Sequence, residues 1–271
     1  MEPSALYLLA FPLVGALSGL LAGLFGIGGG LVIVPALNAL FAAGIVNIDP
    51  AARMHVAIGS SLGVIVFTAI SSVRAHHRLG AVVWPAVRGL VPGVVAGGLL
   101  GAFVADALPT RALEMVFGVF AGAMALRIAT GREAPVDAEG RLPSAGGFAA
   151  AGTIIGTVSA LVGIGGGVMT VPYLGWHGVP IRKAVGTAAA CTLPVAAAGA
   201  AGYVVAGAGA PVPAGATGYL YWPAIAGIAV VSVLTAPLGA RLAHALPVKR
   251  LRQLFALLLV AVALDMVISG G

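Results

Sequence analysis

Eight apolar runs, most long enough for the roughly 20 residues that carry a helix across a bilayer, fill almost the whole chain. They cover about 5–43, 54–73, 81–105, 112–130, 146–176, 184–206, 219–243 and 251–269. The first and fifth are interrupted by glycines. Only 8% of the residues are charged and 60% are hydrophobic, against about a quarter charged in a soluble domain. So few polar groups cannot coat a globule in water, and lipid is the expected solvent for most of the exterior. The pI of about 10.1 would suit nucleic acid, but the basic residues sit in short gaps between apolar runs. That is the distribution of topology signals, and nucleic acid is excluded as a partner. Met1-Glu2-Pro3-Ser4 has no basic stretch before its apolar run, so the first run reads as a retained span. The single cysteine, Cys191, allows neither a disulfide framework nor a thiolate metal site, and reads as a packing residue.

The chain is an internal duplication. Residues 24–37, LFGIGGGLVIVPAL, match residues 161–174, LVGIGGGVMTVPYL, at an offset of 137. Trp84-Pro85-Ala86 and Gly89 match Trp222-Pro223-Ala224 and Gly227 at an offset of 138, as do Leu100-Gly101-Ala102 and Leu238-Gly239-Ala240. A first repeat over 1–130 and a second over 145–271 follow. Residues 131–144, GREAPVDAEGRLPS, read as a polar cytoplasmic linker between them.

The charge pattern chooses between two topologies. If each broken run crosses once, the repeats are parallel. Eight Lys and Arg then fall on one side (Arg53, Arg111, Arg182, Lys183, Arg241, Lys249, Arg250, Arg252) and five on the other (Arg74, Arg78, Arg127, Arg132, Arg141). If each broken run is a hairpin, the repeats are inverted. Eleven then face one side and only Arg53 and Arg111 the other, with Arg88 inside a span. Cytoplasmic loops are enriched in Lys and Arg. The expected fold is therefore an all-α integral membrane protein of two inverted repeats. Each is a glycine-tipped broken-helix hairpin plus three transmembrane helices, with both termini outside.

Gly26-Ile27-Gly28-Gly29-Gly30 and Gly163-Ile164-Gly165-Gly166-Gly167 can turn the backbone and present several N–H groups together. The apolar run after each starts a helix, whose N-terminus suits an anion. Interrupted helices at matching places in two repeats point to a transporter's midplane site. The expected binding glycines are Gly28, Gly29, Gly30, Gly165, Gly166 and Gly167. Gly26, Pro35, Gly163 and Pro172 are the expected helix-break or gating positions. Small residues also serve plain helix packing. Neither motif is followed by the Lys-Ser/Thr of a phosphate loop.

The two GIGGG-x-x-x-x-P motifs, with Gly59-Ser60-Ser61, His77 and Gly80, resemble those of the TauE/SafE family of sulfite exporters, also called the toluene sulfonate uptake permeases. The resemblance spans nearly the whole chain. It implies transport of sulfite, sulfonates or related organosulfur anions without a cofactor, in a plasma or bacterial inner membrane, and leaves the substrate and direction open.

Ser60 and Ser61, with Thr187 at the matching place in the second half, are candidate hydroxyl ligands for an oxyanion, although such hydroxyls also bond backbone. Arg88 reads as snorkelling to the interface, and His76-His77 as polar anchors. Glu114 and Asp265 read as interfacial. Asn38 could line a cavity, but Gly175 stands at its counterpart. Gly59-Ser60-Ser61-Leu62-Gly63 fits G-x-S-x-G, yet a nucleophile elbow needs a strand-to-helix turn where this stretch reads as helix. No catalytic residue and no metal site is expected. The partners are a small anion and lipid, with a homodimer left open. An anion channel along the same pathway is the alternative to a carrier.

Overall fold

The computed structural model describes residues 3–25, 28–130, 143–245 and 248–268. The first half holds α1 (Pro3–Phe25), α2 (Gly30–Ala42), α3 (Arg53–Arg78), α4 (Trp84–Asp106) and α5 (Thr110–Thr130). The second holds α6 (Ala145–Val162), α7 (Gly167–Trp176), α8 (Ile181–Ala206), α9 (Trp222–Ala245) and α10 (Val248–Ile268). Each glycine-interrupted run is two helices, so eight runs become ten. One antiparallel ribbon, β1 (Ala216–Thr217) with β2 (Leu220–Tyr221), lies between α8 and α9. Most of the expected linker, 131–142, and the break residues Gly26 and Ile27 lie outside the described residues.

Among the described residues, α3, α4, α5, α6 and α8 are each long and apolar enough to cross a membrane. The chain is an α-helical, multi-pass membrane protein. Helices α2 and α7 have 13 and 10 residues. At ~1.5 Å per residue they reach only about 20 and 15 Å, short of a hydrocarbon core about 30 Å thick. Local signals set several helix starts. Pro85 stands in the first turn of α4, where its missing N–H costs nothing. The Ser144 hydroxyl accepts the Gly147 N–H at the start of α6.

The halves pack reciprocally: α1 lies on α9 and α6 on α4, while α3 meets α8 and α5 meets α10. Lipid offers no hydrophobic drive for helix association, so close backbone approach must supply it. A Cβ on Gly15 of α1 would stand 2.6 Å from the Ile228 carbonyl of α9, and one on Gly152 of α6 would stand 2.6 Å from the Leu90 carbonyl of α4. Gly93, Gly97 and Gly101, spaced by four on α4, meet the carbonyls of Ala149, Thr153 and Thr157 on α6 in the same way. Large side chains fill the space around α2, α3, α5 and α8, with Leu31, Leu37, Ile58, Leu62, Phe117 and Tyr203 fully buried.

Candidate functional site

The chain turns out of helix at matching points in the two halves. In the first, Gly28 and Gly29 have φ of 76° and 78°, a region that side chains with a Cβ rarely enter. The Gly29 carbonyl then accepts the N–H groups of Val32 and Ile33, both at 3.0 Å, to start α2. In the second, Gly163 (φ 73°) closes α6 and Gly166 (φ 73°) opens α7. The Gly166 carbonyl accepts the Met169 and Thr170 N–H groups and the Thr170 hydroxyl. Pro35 and Pro172 lie inside α2 and α7, so the described breaks fall at glycines alone. The two breaks are neighbours: a Cβ on Gly30 would collide with the Gly163 carbonyl, and one on Gly163 would stand 2.7 Å from Val34.

A cavity of about 380 Å³ opens beside the first break. Gly28 and Ala22 form one wall, α3 supplies Thr68, Ser71, Ser72 and His76, α8 supplies Thr192, and α9 supplies Ser232. It runs from exposed Ser71 and Ala75 near the end of α3 to buried Thr192 and Ser232. Neither Lys, Arg, Asp nor Glu is among the described residues that line it. Hydroxyls, the His76 imidazole and backbone N–H groups are what these residues offer a ligand, beside a helix N-terminus with its partial positive charge. Thr192 stands between the breaks. Its methyl is 4.0 Å from a Cβ position on Gly28 and would collide with a Cβ on Gly165.

The expected site residues divide. Gly28 lines the cavity, while Gly29 and Gly30 are buried behind it, as are Gly165, Gly166 and Gly167 in the second break. The hydroxyl candidates are engaged elsewhere. The Ser60 Oγ accepts the Tyr221 N–H at 3.0 Å, and the Thr187 Oγ1 accepts the Val83 N–H at 2.9 Å. These bonds are equivalent, because Tyr221 and Val83 each directly precede a Trp-Pro pair. Ser61 donates to the Gly163 carbonyl at 2.9 Å and so fastens α3 to the second break. The G-x-S-x-G stretch is helical, and His55 points elsewhere, its Nε2 lying 3.1 and 3.0 Å from the Ala105 and Leu108 carbonyls. Arg88 and His77 are exposed, and His77 packs edge-on against Trp84.

At the opposite end of α3 the helices are tied by charge. Glu114 is 2% exposed. It accepts Arg53 at 2.9 Å, lies 3.7 Å from Arg111, and accepts the buried Asn38 amide at 3.2 Å. Arg53 also donates to the Asn38 carbonyl oxygen at 3.0 Å. A buried carboxylate between two guanidinium groups keeps its charge satisfied, and here it joins α2, α3 and α5. Nearby, Tyr219 stacks on His55 and donates to Asp106 at 2.7 Å. Burial pushes its phenol above the usual range, and the bond to Asp106 adds to the shift.

Sequence reasoning missed Thr68, Ser71, Ser72, Thr192 and Ser232. A signal was there for four of them: aligning α3 on α8 through Ser60 and Thr187 sets Thr68, Ser71, Ser72 and Thr192 opposite Val195, Ala198, Gly199 and Ile65.

A bundle of spanning helices with two broken ones, tied by ion pairs at one end and holding a cavity with several hydroxyls at the other, fits a membrane transporter. Residues 11–266 match the family described as sulfite exporter TauE/SafE, and the chain belongs to that family. It is 37% identical over 262 residues to a "probable membrane transporter protein" of Haemophilus influenzae, covering 96% of this chain and 98% of that one. A protein of the same description from Methanocaldococcus jannaschii is 32% identical over 189 residues, 66% of this chain and 67% of the other. No solved structure matches.

Proposed function

We propose that the protein is a secondary transporter of a small sulfur oxyanion or organosulfur anion, such as sulfite or a sulfonate, across a bacterial cytoplasmic membrane by alternating access. The observation that carries this reading is the hydroxyl-lined cavity ending at the Gly28 turn. A small oxyanion needs several hydrogen-bond donors, and a carrier must release what it binds. Hydroxyls and helix N–H groups bind an anion without the deep well that a buried Lys or Arg would make.

The repeats are inverted in this reading. Thr187, near the start of α8, bonds the residue five past the end of α3, while Ser60, near the start of α3, bonds a residue beyond the end of α8. Equivalent helices that meet start-to-end run antiparallel. The charge bias then puts the cavity mouth, near Arg74 and Arg78, at the cytoplasm, and the Arg53–Glu114 cluster outside. Rocking one repeat against the other would open that cluster and close the mouth.

The test is sulfite flux in proteoliposomes, with sulfate and a small sulfonate as competitors and Gly166→Val beside the wild type. Saturable flux, competed by at least one of these anions and abolished by Gly166→Val, supports the carrier. Currents that do not saturate would make the pathway a channel, and no flux of any of the three anions would overturn the substrate assignment.

A further inference from the structure

We infer that the duplicated chain carries one polar binding compartment rather than two, and that Thr192 is its specificity-determining residue. The inference rests on the transport reading above and narrows it to the compartment beside the first break.

The equivalences are fixed by packing. A Cβ on Gly59 of α3 would meet the Tyr219 carbonyl at 2.7 Å, and one on Gly186 of α8 would meet the Ala81 carbonyl. With the Ser60 and Thr187 bonds, this aligns α3 on α8 at an offset of 127. The Gly15 and Gly152 contacts align α4 on α9 at an offset of 138. Every hydroxyl around the cavity then has an apolar residue or a glycine at the matching position of the other half. Thr68 corresponds to Val195, Ser71 to Ala198, Ser72 to Gly199, Thr192 to Ile65 and Ser232 to Val94.

The counterpart space is also filled. Residues 162–167 are buried. A Cβ on Gly165 would stand 3.2 Å from the Ile65 Cγ2, where its equivalent at Gly28 has 4.0 Å to the Thr192 methyl. Two hydroxyls run the other way: Tyr203, which donates to the Ala160 carbonyl at 3.1 Å, stands where α3 has His76, and Ser159 replaces Ala22. It is fully buried, and it crowds Gly166 together with Ile155 and Val195, each side chain 3.2–3.4 Å from a Cβ position there.

Burying an oxyanion against the second wall would strip its hydration, with the Ser159 hydroxyl as the main compensation. The first wall returns hydroxyl hydrogen bonds. Thr192, near the middle of α8, is the one of these hydroxyl side chains that also touches the second break. Its hydroxyl now donates to the Ala188 carbonyl at 3.0 Å, a bond it can exchange for one to a ligand at the floor of the cavity. A site that uses a hydroxyl discriminates strongly against its loss.

The experiment pairs equivalent positions in a Cys191→Ala background. Ser71→Cys and Ser232→Cys are compared with Ala198→Cys and Val94→Cys for reaction with 2-sulfonatoethyl methanethiosulfonate, itself a small sulfonate. The first pair is expected to react at least tenfold faster, and excess sulfite is expected to slow it. Rates within twofold across the pairs would overturn the single compartment. In flux assays, Thr192→Val is expected to lower sulfite transport at least tenfold, with recovery in Thr192→Ser, while Ser159→Ala changes it less than twofold. Equal losses in Thr192→Val and Ser159→Ala would overturn the assignment of Thr192. If the wild type carries none of the tested anions, the transport reading and the role of Thr192 fail together, and the labelling ratio still decides between one compartment and two.

Discussion

Ser60 and Thr187 show what a buried hydroxyl can do when the backbone reaches it first. Each accepts the N–H of a residue just before a Trp-Pro pair, where the following proline cannot donate. Removing the acceptor leaves a buried or half-buried N–H without a partner, which costs about 1–3 kcal/mol. Thr187→Val keeps the shape and loses the acceptor, so it is expected to destabilise the protein by that amount, and Thr187→Ser should recover most of it. Thermal unfolding in detergent measures both; an unchanged midpoint in Thr187→Val would remove the structural role. Glu114 makes the stronger case. Replacing it by Gln leaves Arg53 short of its counter-charge, which costs about 3–5 kcal/mol for a fully buried pair. Arg53 is 23% exposed, and water will screen part of that, so about 2–3 kcal/mol is expected from the same measurement. The destinations of these side chains could not be read from the chain. The partner of Thr187 is 104 residues away and that of Ser60 is 161, so only the tertiary arrangement tells a ligand hydroxyl from a structural one.

The helices themselves were legible, because an apolar run of span length has few alternatives in lipid. The breaks were legible too, since the glycine triplets mark them, although the prolines that follow sit within helices rather than at breaks. Which glycines pack and which turn was less visible. Gly97 is helical and serves close approach: a side chain there would drive into the Thr153 carbonyl of α6. Gly97→Leu is therefore expected to pry α4 from α6 and lower the yield of folded protein several-fold. Gly146→Leu, on the same pair of helices but with nothing within 4 Å of its Cβ position, should be tolerated. Size-exclusion profiles of the two variants after extraction decide this, and equal profiles would show that the glycine stripe on α4 does not set the helix spacing.

At the scale of the whole molecule, the two topologies differ in a measurable way. Both place α5 just before the polar segment 131–144, but they disagree about α6 and α7. If that pair crosses once in total, segment 131–144 and the α8–α9 connection lie on the same side of the membrane. If it enters and returns, they lie on opposite sides. The lengths favour return. Helix α6 has 18 residues and reaches about 27 Å, enough to cross most of the core, and α7 adds only about 15 Å after a turn through two positive-φ glycines. A single cysteine at Ala138, in the polar segment, and another at Ala208, exposed beyond the end of α8, read the difference in the Cys191→Ala background. With a membrane-impermeant maleimide added to intact cells, Ala208→Cys is expected to label and Ala138→Cys only after the membrane is opened. Labelling of both from the same side would make the repeats parallel. The cytoplasmic assignment of the cavity mouth would then fall, because it rests on the same loop charges.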